Sequence, residues 1–494
     1  MSTGKTYNDA VAALNTLQTP FDKLEARRQA GLKMESSALL QMKEWIRRIG
    51  YQMSDLNRLN IVHVAGTKGK GSTCAFVNSI LCRYQRSHGA PTKVALYTSP
   101  HLIAVRERLL INKQAISEEL FAKYFFEVWE RLEASAIAEG LDPSYKPVYF
   151  RFLTLMSFHV FLEEGVDVAV YEVGVGGELD STNVVEAPAA TGITLLGIDH
   201  TVVLGDTIDK IAWHKAGIFK AGSSAFTVPQ VPDAMAVVEQ RAEEKGVKLE
   251  KVNHHPEINA VNFKSGASFQ RMNASLAIHL AAAVLERFGY TYSDIAEKLP
   301  PGFVQGLNEV EWRGRCELKV EDATEWYLDG AHTYDSLKVA VEWFAEMVEN
   351  RKTRCGGNFS APTALIFNQQ SRPEVLGLLK ALHENLRTSL GEQTSFDRVV
   401  FCTNVTWKDK GYGNDLVDLN NDPQVVQNLQ VQRSMADMWK TLDNHAQLHV
   451  MDTIEDAVNF GRELGTADNK AMVFVTGSLR LVGGVLTVQE TTSS

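Results

Sequence analysis

Residues 61–84, IVHVAGTKGKGSTCAFVNSILCRY, constrain the fold more than any other stretch of the chain. Residues 61–64 are apolar and β-branched apart from His63, and Phe76, Val77, Ile80, Leu81 and Tyr84 recur at helical spacing after Ser72. Gly66, Gly69 and Gly71 lie between, so the segment reads as strand, glycine-rich loop, helix. Such a loop leaves backbone N–H groups unpaired at a helix N-terminus, where the helix dipole also favours an anion. Phosphate is the expected guest. The glycines permit close approach, Lys70 supplies charge for the outer phosphates, and Ser72 or Thr73 offers a hydroxyl to magnesium. The usual P-loop pattern sets that hydroxyl directly after the lysine, whereas here Gly71 intervenes.

The strand at the loop needs a sheet. Strand patterns at 94–100, 166–174 and from 191 alternate with helical patterns at 117–138 and 150–162, which predicts a parallel, doubly wound α/β sheet with ligands at the carboxyl ends of its strands. Ser117 is the expected N-cap of its helix, with Glu118 and Glu119 in the first turn. Two further helical patterns, 7–17 and 36–49, precede the loop, joined by a polar segment carrying Arg27 and Arg28, and residues 31–35 are placed to reach a ligand.

The strand ends collect Thr98, Ser99, Glu172, Asp199 and His200. Each alone has a bland reading as a turn or strand-end residue; together, beside a phosphate loop, a carboxylate, an imidazole and a hydroxyl form a magnesium site. The glycine-rich run 172–184 is expected to pass over the nucleotide or the substrate. Lys215 and Lys220 sit in the apolar run AWHKAGIFKAG, readable either as charges near a metal or as snorkelling or phosphate-pairing lysines.

A chain of 494 residues allows two or three domains. Sixty acidic against fifty basic residues, a net charge of −10, argue against a general nucleic-acid binder. Cys74, Cys82, Cys316, Cys355 and Cys402 are widely spaced and odd in number, which argues against a disulfide framework or zinc site and for a reducing compartment. No apolar run is long enough to span a membrane. The opening residues lack a signal-peptide core and carry one basic residue, poor for a mitochondrial presequence, so the expected setting is the cytoplasm. The proline- and glycine-rich segment 299–315 reads as a linker to a second α/β domain. Its strands are expected at 316–320, 326–329, 363–367, 398–403 and 472–476, and its helices at 336–349, 373–387 and 453–464. Residues 350–362 and 407–432 are expected as surface insertions without catalytic duty.

The blocks GTKGKGST, TSPHLIAVRERLLIN, YFRFLTLMSFHVF, YEVGVGGELDSTNV, GIDH, HKAGIFK and WYLDGAHT resemble those of the eukaryotic folylpolyglutamate synthases, Mur ligase-like ATP-dependent amide ligases. The resemblance implies a P-loop ATPase and folate-binding domain over 1–300, a linker over about 301–315 and a smaller C-terminal α/β domain over 316–494. Thr67, Lys68, Gly69, Lys70, Gly71 and Ser72 would hold the ATP phosphates, with Lys70 facing the γ-phosphate. Ser99, Glu172 and His200 would bind Mg2+, and Lys215 would be carbamylated to give a further acidic group beside the metal. Asn273 matches an adenine contact, and Arg315 and Asp329 match the residues that the second domain contributes to ATP. Tyr149, Phe150, Arg151, Leu179, Asp180 and Ser181 match pterin-contacting segments of the related dihydrofolate synthases; read without that match, they serve equally well as core aromatics and a helix cap. His332 is a candidate for orienting glutamate or deprotonating its amine.

The implied activity adds L-glutamate to the γ-carboxylate of reduced folates and their polyglutamates through an acyl phosphate. Mg2+ is the implied metal, with room for a monovalent cation such as K+. The implied partners are small molecules only, for a monomer without nucleic acid, and a mitochondrial pool would follow from an alternative start. Two other activities share parts of this pattern: dihydrofolate synthase, which adds the first glutamate to dihydropteroate, and a P-loop protein that binds nucleotide without ligating anything.

Overall fold

The computed structural model describes residues 4–31, 37–263, 269–354, 361–391 and 396–491. Cys355 and most of the expected reach of residues 31–35 lie outside them.

The first sheet has eight strands: β1 (Val62–Ala65), β2 (Val94–Tyr97), β3 (Leu109–Ile111), β4 (Gln114–Ala115), β5 (Val168–Glu172), β6 (Ala190–Ile193), β7 (Ser224–Thr227) and β8 (Leu249–Lys251). Their order is β4-β3-β2-β5-β1-β6-β7-β8. β1 lies between β5 and β6, parallel to both, and β3 and β4 form an antiparallel edge beside β2. The four central strands β1, β2, β5 and β6 are buried along their whole length, which is why they read as continuous apolar runs rather than as alternating ones. Helices cover both faces. One carries the loop, Lys70–His88, with Gln270–Glu286 packed beside it; the other face holds Tyr7–Asn15, Glu118–Ala138 and Tyr149–Glu163.

The second sheet is built from β9 (Glu317–Val320), β10 (Thr324–Leu328), β11 (Thr363–Phe367), β12 (Arg398–Cys402), β13 (Gln447–Met451) and β14 (Ala471–Thr476), in the order β13-β12-β11-β14-β10-β9. Only β9 is antiparallel to its neighbour. The molecule is thus an α/β protein of two mostly parallel, doubly wound sheets.

Several elements differ from expectation. The polar segment with Arg27 and Arg28 is a helix, Phe21–Gln29. Residues 301–308, expected within a linker, form the helix Pro301–Asn308, and it packs on the loop helix: the Ser79 hydroxyl donates to the Gly306 carbonyl at 2.5 Å, and Phe303 meets the Tyr84 ring edge-on. The expected insertion at 407–432 holds a short helix, Pro423–Gln427, and leads into the helix Gln430–Leu442, which buries Met435 and Trp439. Strand β13 and the final helix Leu479–Thr491 were not foreseen.

Candidate active site

The loop between β1 and its helix is built as its glycines require. Gly66 (φ +151°) lies against Thr194 so tightly that a Cβ would fall 1.7 Å from the Thr194 hydroxyl, and Gly69 (φ +87°) lies equally hard against the Asn273 amide. The N–H groups of Thr67 and Lys68 both donate to the Leu195 carbonyl at 3.1 Å, so they brace the loop against the end of β6. Thr67 Oγ1 exchanges hydrogen bonds with Gly197. Among the described residues the N–H groups of Gly69 and of the first helical residues, Lys70, Gly71 and Ser72, have no backbone partner. Of the residues expected to hold phosphate, 67–72, Thr67 and Lys68 thus have their N–H groups engaged as the loop's buttress. Lys68 Nζ pairs with Asp335 of the second sheet's domain, while Lys70 has no ion-pair or hydrogen-bond partner among the described residues. That leaves Lys70 as the loop's free cation.

Glu172, at the end of β5, is buried beside the loop: a Cβ on Gly71 would lie 3.4 Å from its carboxylate and 3.0 Å from the Trp312 ring. Burial raises its pKa, and Lys70, the Ser99 N–H group and Arg315 oppose that rise. The Ser99 N–H donates to Glu172 at 3.2 Å, so the ends of β2 and β5 are joined as expected. His200 follows β6, on the far side of β1 from β5, in a left-handed backbone conformation (φ +53°), and its N–H donates to Asp199 at 2.8 Å. Desolvation in the cleft lowers its pKa, aided by Lys70, Lys215 and Arg372, so its imidazole is neutral at pH 7. No hydrogen bond or ion pair joins His200 to Glu172.

Lys215 is buried with its Nζ donating to the Gly66 carbonyl at 2.7 Å, directly behind the phosphate loop. Burial and then Lys70 push its pKa down to about 7, against the opposing pull of Asp199 and Asp180. Neither snorkelling nor phosphate pairing describes it, because its ammonium end points inward. Lys220 instead donates to the Asn183 carbonyl at 3.3 Å.

The second domain brings Arg315, Asp329, His332 and Arg372 to the same cleft. Asp329 follows β10 and accepts the Cys316 and Ala331 N–H groups, each at 2.9 Å; burial raises its pKa and Arg315 opposes the rise. Arg315 is thus felt by both buried acids, Glu172 of the first domain and Asp329 of the second. His332 Nδ1–H donates to the Gly330 carbonyl at 3.1 Å, which leaves Nε2 as a lone pair. Burial, with Arg315 and Arg372, pushes its pKa down to about 4. Arg372 reaches across to Asp199 at 3.3 Å. Sequence reasoning missed Arg372, Asp335 and Trp312; the signal for Arg372 was its place in the loop that follows β11, at a strand's carboxyl end.

The expected folate residues lie where the glycine-rich loop passes the start of the Tyr149–Glu163 helix. Phe150 packs on Gly174, where a Cβ would meet its ring at 2.5 Å, and Arg151 donates to the Gln41 amide at 2.8 Å. Leu179 is half-buried and Ser181 buried. Asp180 caps the turn Ser181–Val184: one oxygen accepts the Thr182 N–H and hydroxyl at 2.9 and 2.6 Å, the other the Val175 N–H at 3.0 Å. Its first task is therefore the cap, which shapes the loop, rather than a free acceptor for ring N–H groups. Asn273 flanks the loop at Gly69 and donates to Gln270 at 3.1 Å.

A phosphate loop facing a second, mostly parallel α/β domain across a cleft of buried acids and cations defines a two-domain P-loop protein of Mur ligase-like architecture. The folylpolyglutamate synthase of Neurospora crassa is 53% identical over 493 residues, covering 99% of this chain and 92% of the relative. The chain belongs to the folylpolyglutamate synthase family, tetrahydrofolate:L-glutamate γ-ligases that use ATP to add glutamate to folates. That of Saccharomyces cerevisiae is 47% identical, covering 98% of this chain and 87% of the relative. Residues 314–488 match the family described as dihydrofolate synthetase, C-terminal domain. Solved folylpolyglutamate synthases share the fold: the apo form from L. casei (TM-score 0.69, 22% identity, 99% of this chain and 100% of that one) and the Mycobacterium tuberculosis protein complexed with ADP (TM-score 0.68, 22%, 97% and 99%). Full-length relatives at this identity favour the polyglutamate ligase over the first-glutamate enzyme and over a non-catalytic nucleotide binder.

Proposed function

We propose that the cleft between the two sheets carries out the ligation in two steps on substrate alone. The γ-carboxylate of the folate's terminal glutamate attacks the γ-phosphorus of ATP, releasing ADP and leaving an acyl phosphate. The amine of L-glutamate then attacks the acyl carbon, phosphate leaves, and the amine's proton passes to solvent. The observation that carries this reading is the set of free N–H groups of Lys70, Gly71 and Ser72 with buried Glu172 beside them, faced by the second domain through the Lys68–Asp335 and Asp199–Arg372 pairs. Those groups and Lys70 are aimed where charge builds on the transferred phosphoryl group. A cleft closed by two domains also excludes water, which would hydrolyse the acyl phosphate.

Ser99, Glu172 and His200 would hold Mg2+. The fit rests on a buried carboxylate whose charge is only partly compensated and on an imidazole kept neutral. Among the described residues no three His, Cys, Asp or Glu side chains gather into a metal cluster; an Mg2+ ion held here would take its remaining ligands from phosphate and water. When bound, Mg2+ would neutralise phosphate charge. Lys215, with a pKa of about 7, presents a substantially neutral amine at neutral pH, the form able to attack CO2 and lose a proton to become a carbamate. Asn273 would face the adenine, and a monovalent cation such as K+ would sit at the phosphates. At a pKa of about 4, His332 is too weak a base to deprotonate an ammonium at neutrality; its Nε2 lone pair suits orienting glutamate by accepting a hydrogen bond. Tyr149, Phe150, Arg151, Leu179 and Ser181 would line the pterin, on a loop shaped by Asp180. Among the described residues no helix is long and apolar enough to cross a membrane. Cys74, Cys82, Cys316 and Cys402 are free and buried, which suits residence in a reducing compartment such as the cytoplasm.

Tetrahydrofolate labelled with 18O in its γ-carboxylate tests the route. One labelled oxygen per turnover is expected in the released phosphate. Unlabelled phosphate would eliminate the acyl phosphate.

A further inference from the structure

Arg108 is buried, 8% exposed, at the end of a short turn that leads into β3, and its carbonyl accepts the Thr98 N–H at the end of β2. Buried guanidinium groups are ordinarily paired with a carboxylate, because an isolated buried charge is costly. Arg108 has no carboxylate partner among the described residues. Its Nε–H donates to His101 Nδ1 at 2.9 Å, and its two terminal nitrogens have no hydrogen-bond partner there. They are not sealed in the core, since neither is among the buried polar atoms left without a partner.

The surroundings say what faces them. The guanidinium lies 5.4 Å from the centre of the Tyr149 ring. The Arg108 carbonyl bond to Thr98 also sets it one residue away from Ser99, whose N–H donates to Glu172 at 3.2 Å. Arg108 therefore lies beside an aromatic ring, at the strand end whose Ser99 binds the acid beside the phosphate loop.

We propose that Arg108 binds the α-carboxylate of the folate's terminal glutamate. This rests on the ligase reading given above and deepens it. The γ-carboxylate must stay free to attack ATP, and a carboxylate clamped by a guanidinium is a poorer nucleophile, so the α-carboxylate is the one to hold. With the ring system toward Tyr149 and the γ-carboxylate toward the phosphate loop, the α-carboxylate falls between them, where Arg108 is.

The arginine is held from the second domain. His101 Nε2–H donates to the Asp415 carbonyl at 2.8 Å, which fixes the tautomer and leaves Nδ1 to accept from Arg108. The Asp415 carboxylate in turn accepts the Val105 N–H at 2.7 Å and the Tyr7 hydroxyl. Residue 415 lies in the segment expected to be an insertion without catalytic duty. His101 and Asp415 are positioning residues, acting on substrate only through Arg108.

The test compares binding of tetrahydrofolate with binding of its α-monoamide, in which the γ-carboxylate is kept. The wild-type chain is expected to bind the acid ~10- to 100-fold more tightly than the amide, the range for hydrogen bonds to a charged group. Arg108→Gln is expected to lose that preference, with the affinity for the amide unchanged; Arg108→Lys, which keeps the charge and guards against a folding defect, is expected to retain part of it. His101→Ala should lower the preference by a smaller factor. Equal weakening toward acid and amide would reduce Arg108 to a structural role and overturn the assignment. A loss confined to the KM for L-glutamate would move Arg108 to the other substrate and equally overturn it. A wild-type chain that binds no folate at all would instead remove the ligase reading, a result separable from both.

Discussion

Lys215 and Glu172 are both charged groups held where charge is disfavoured, and their chemistry follows from that. In the unfolded chain Lys215 keeps its proton up to about pH 10.4, whereas in the fold it sheds it near 7. Between those values the folded state binds fewer protons, so this lysine weakens the fold at low pH and the penalty fades as pH rises. Lys215→Met is therefore expected to raise the melting temperature over wild type more at pH 6 than at pH 9.5 in CO2-free buffer. Turnover should fall by ~100-fold or more, as for loss of a group that stabilises transition-state charge. Wild-type turnover in the variant would remove Lys215 from the mechanism. Glu172 has the opposite sign: its raised pKa means that the folded state keeps the proton longer, so its ionisation penalises the fold as pH climbs above the usual carboxylate range. Glu172→Gln should leave the ligand-free protein as stable as wild type or more so, with the gain larger at pH 8 than at pH 4, while activity collapses. Thermal scans at the two pH values check both signs.

At the scale of elements, the loop helix depends on a neighbour that the sequence disguised. Residues 301–308 follow Pro300, begin with Pro301 and contain two glycines, a composition that reads as a connection, yet Gly306 is small because the helix must approach Lys70–His88 closely. A Cβ at 306 would lie 2.7 Å from the Ile80 Cα. Gly306→Ala is expected to destabilise by ~1–3 kcal/mol and to raise the KM for ATP, since the displaced helix begins at the phosphate loop; denaturant titration and steady-state kinetics read the two effects. Strands β1, β2, β5 and β6 were legible because central parallel strands need unbroken apolar runs. Strand β13 was not, being a half-exposed edge with Gln447 and His449 among its five residues. The last helix, LRLVGGVLTVQET, carries two glycines and three valines, a pattern that local propensity assigns away from helix; its burial overrode that preference. Gln430–Leu442 follows a cluster of Asn, Asp and Pro that masked its apolar stripe.

For the whole molecule, what the sequence could not show is what the two domains do to each other. Single-domain features such as Lys70, Glu172 and Lys215 declared themselves through local pattern, but the pairs Lys68–Asp335, Asp199–Arg372 and Tyr7–Asp415 join residues more than 170 positions apart. These contacts are unequal. The Lys68 and Asp335 side chains are 31% and 74% exposed, so Lys68→Ala should cost no more than ~1 kcal/mol. Tyr7→Phe removes a donor from the half-buried Asp415 carboxylate and should cost ~1–3 kcal/mol. Equilibrium unfolding of the two variants side by side tests that ranking.

The central claim is that this cleft extends folates by glutamate, and the most direct measurement is the mass of the products. Purified protein is incubated with ATP, magnesium, tetrahydrofolate and L-glutamate, with ADP release followed in parallel. Folates heavier by successive glutamyl units, one ADP per unit, are the predicted result. ATP consumption that requires dihydropteroate, or none that depends on a folate, would contradict it.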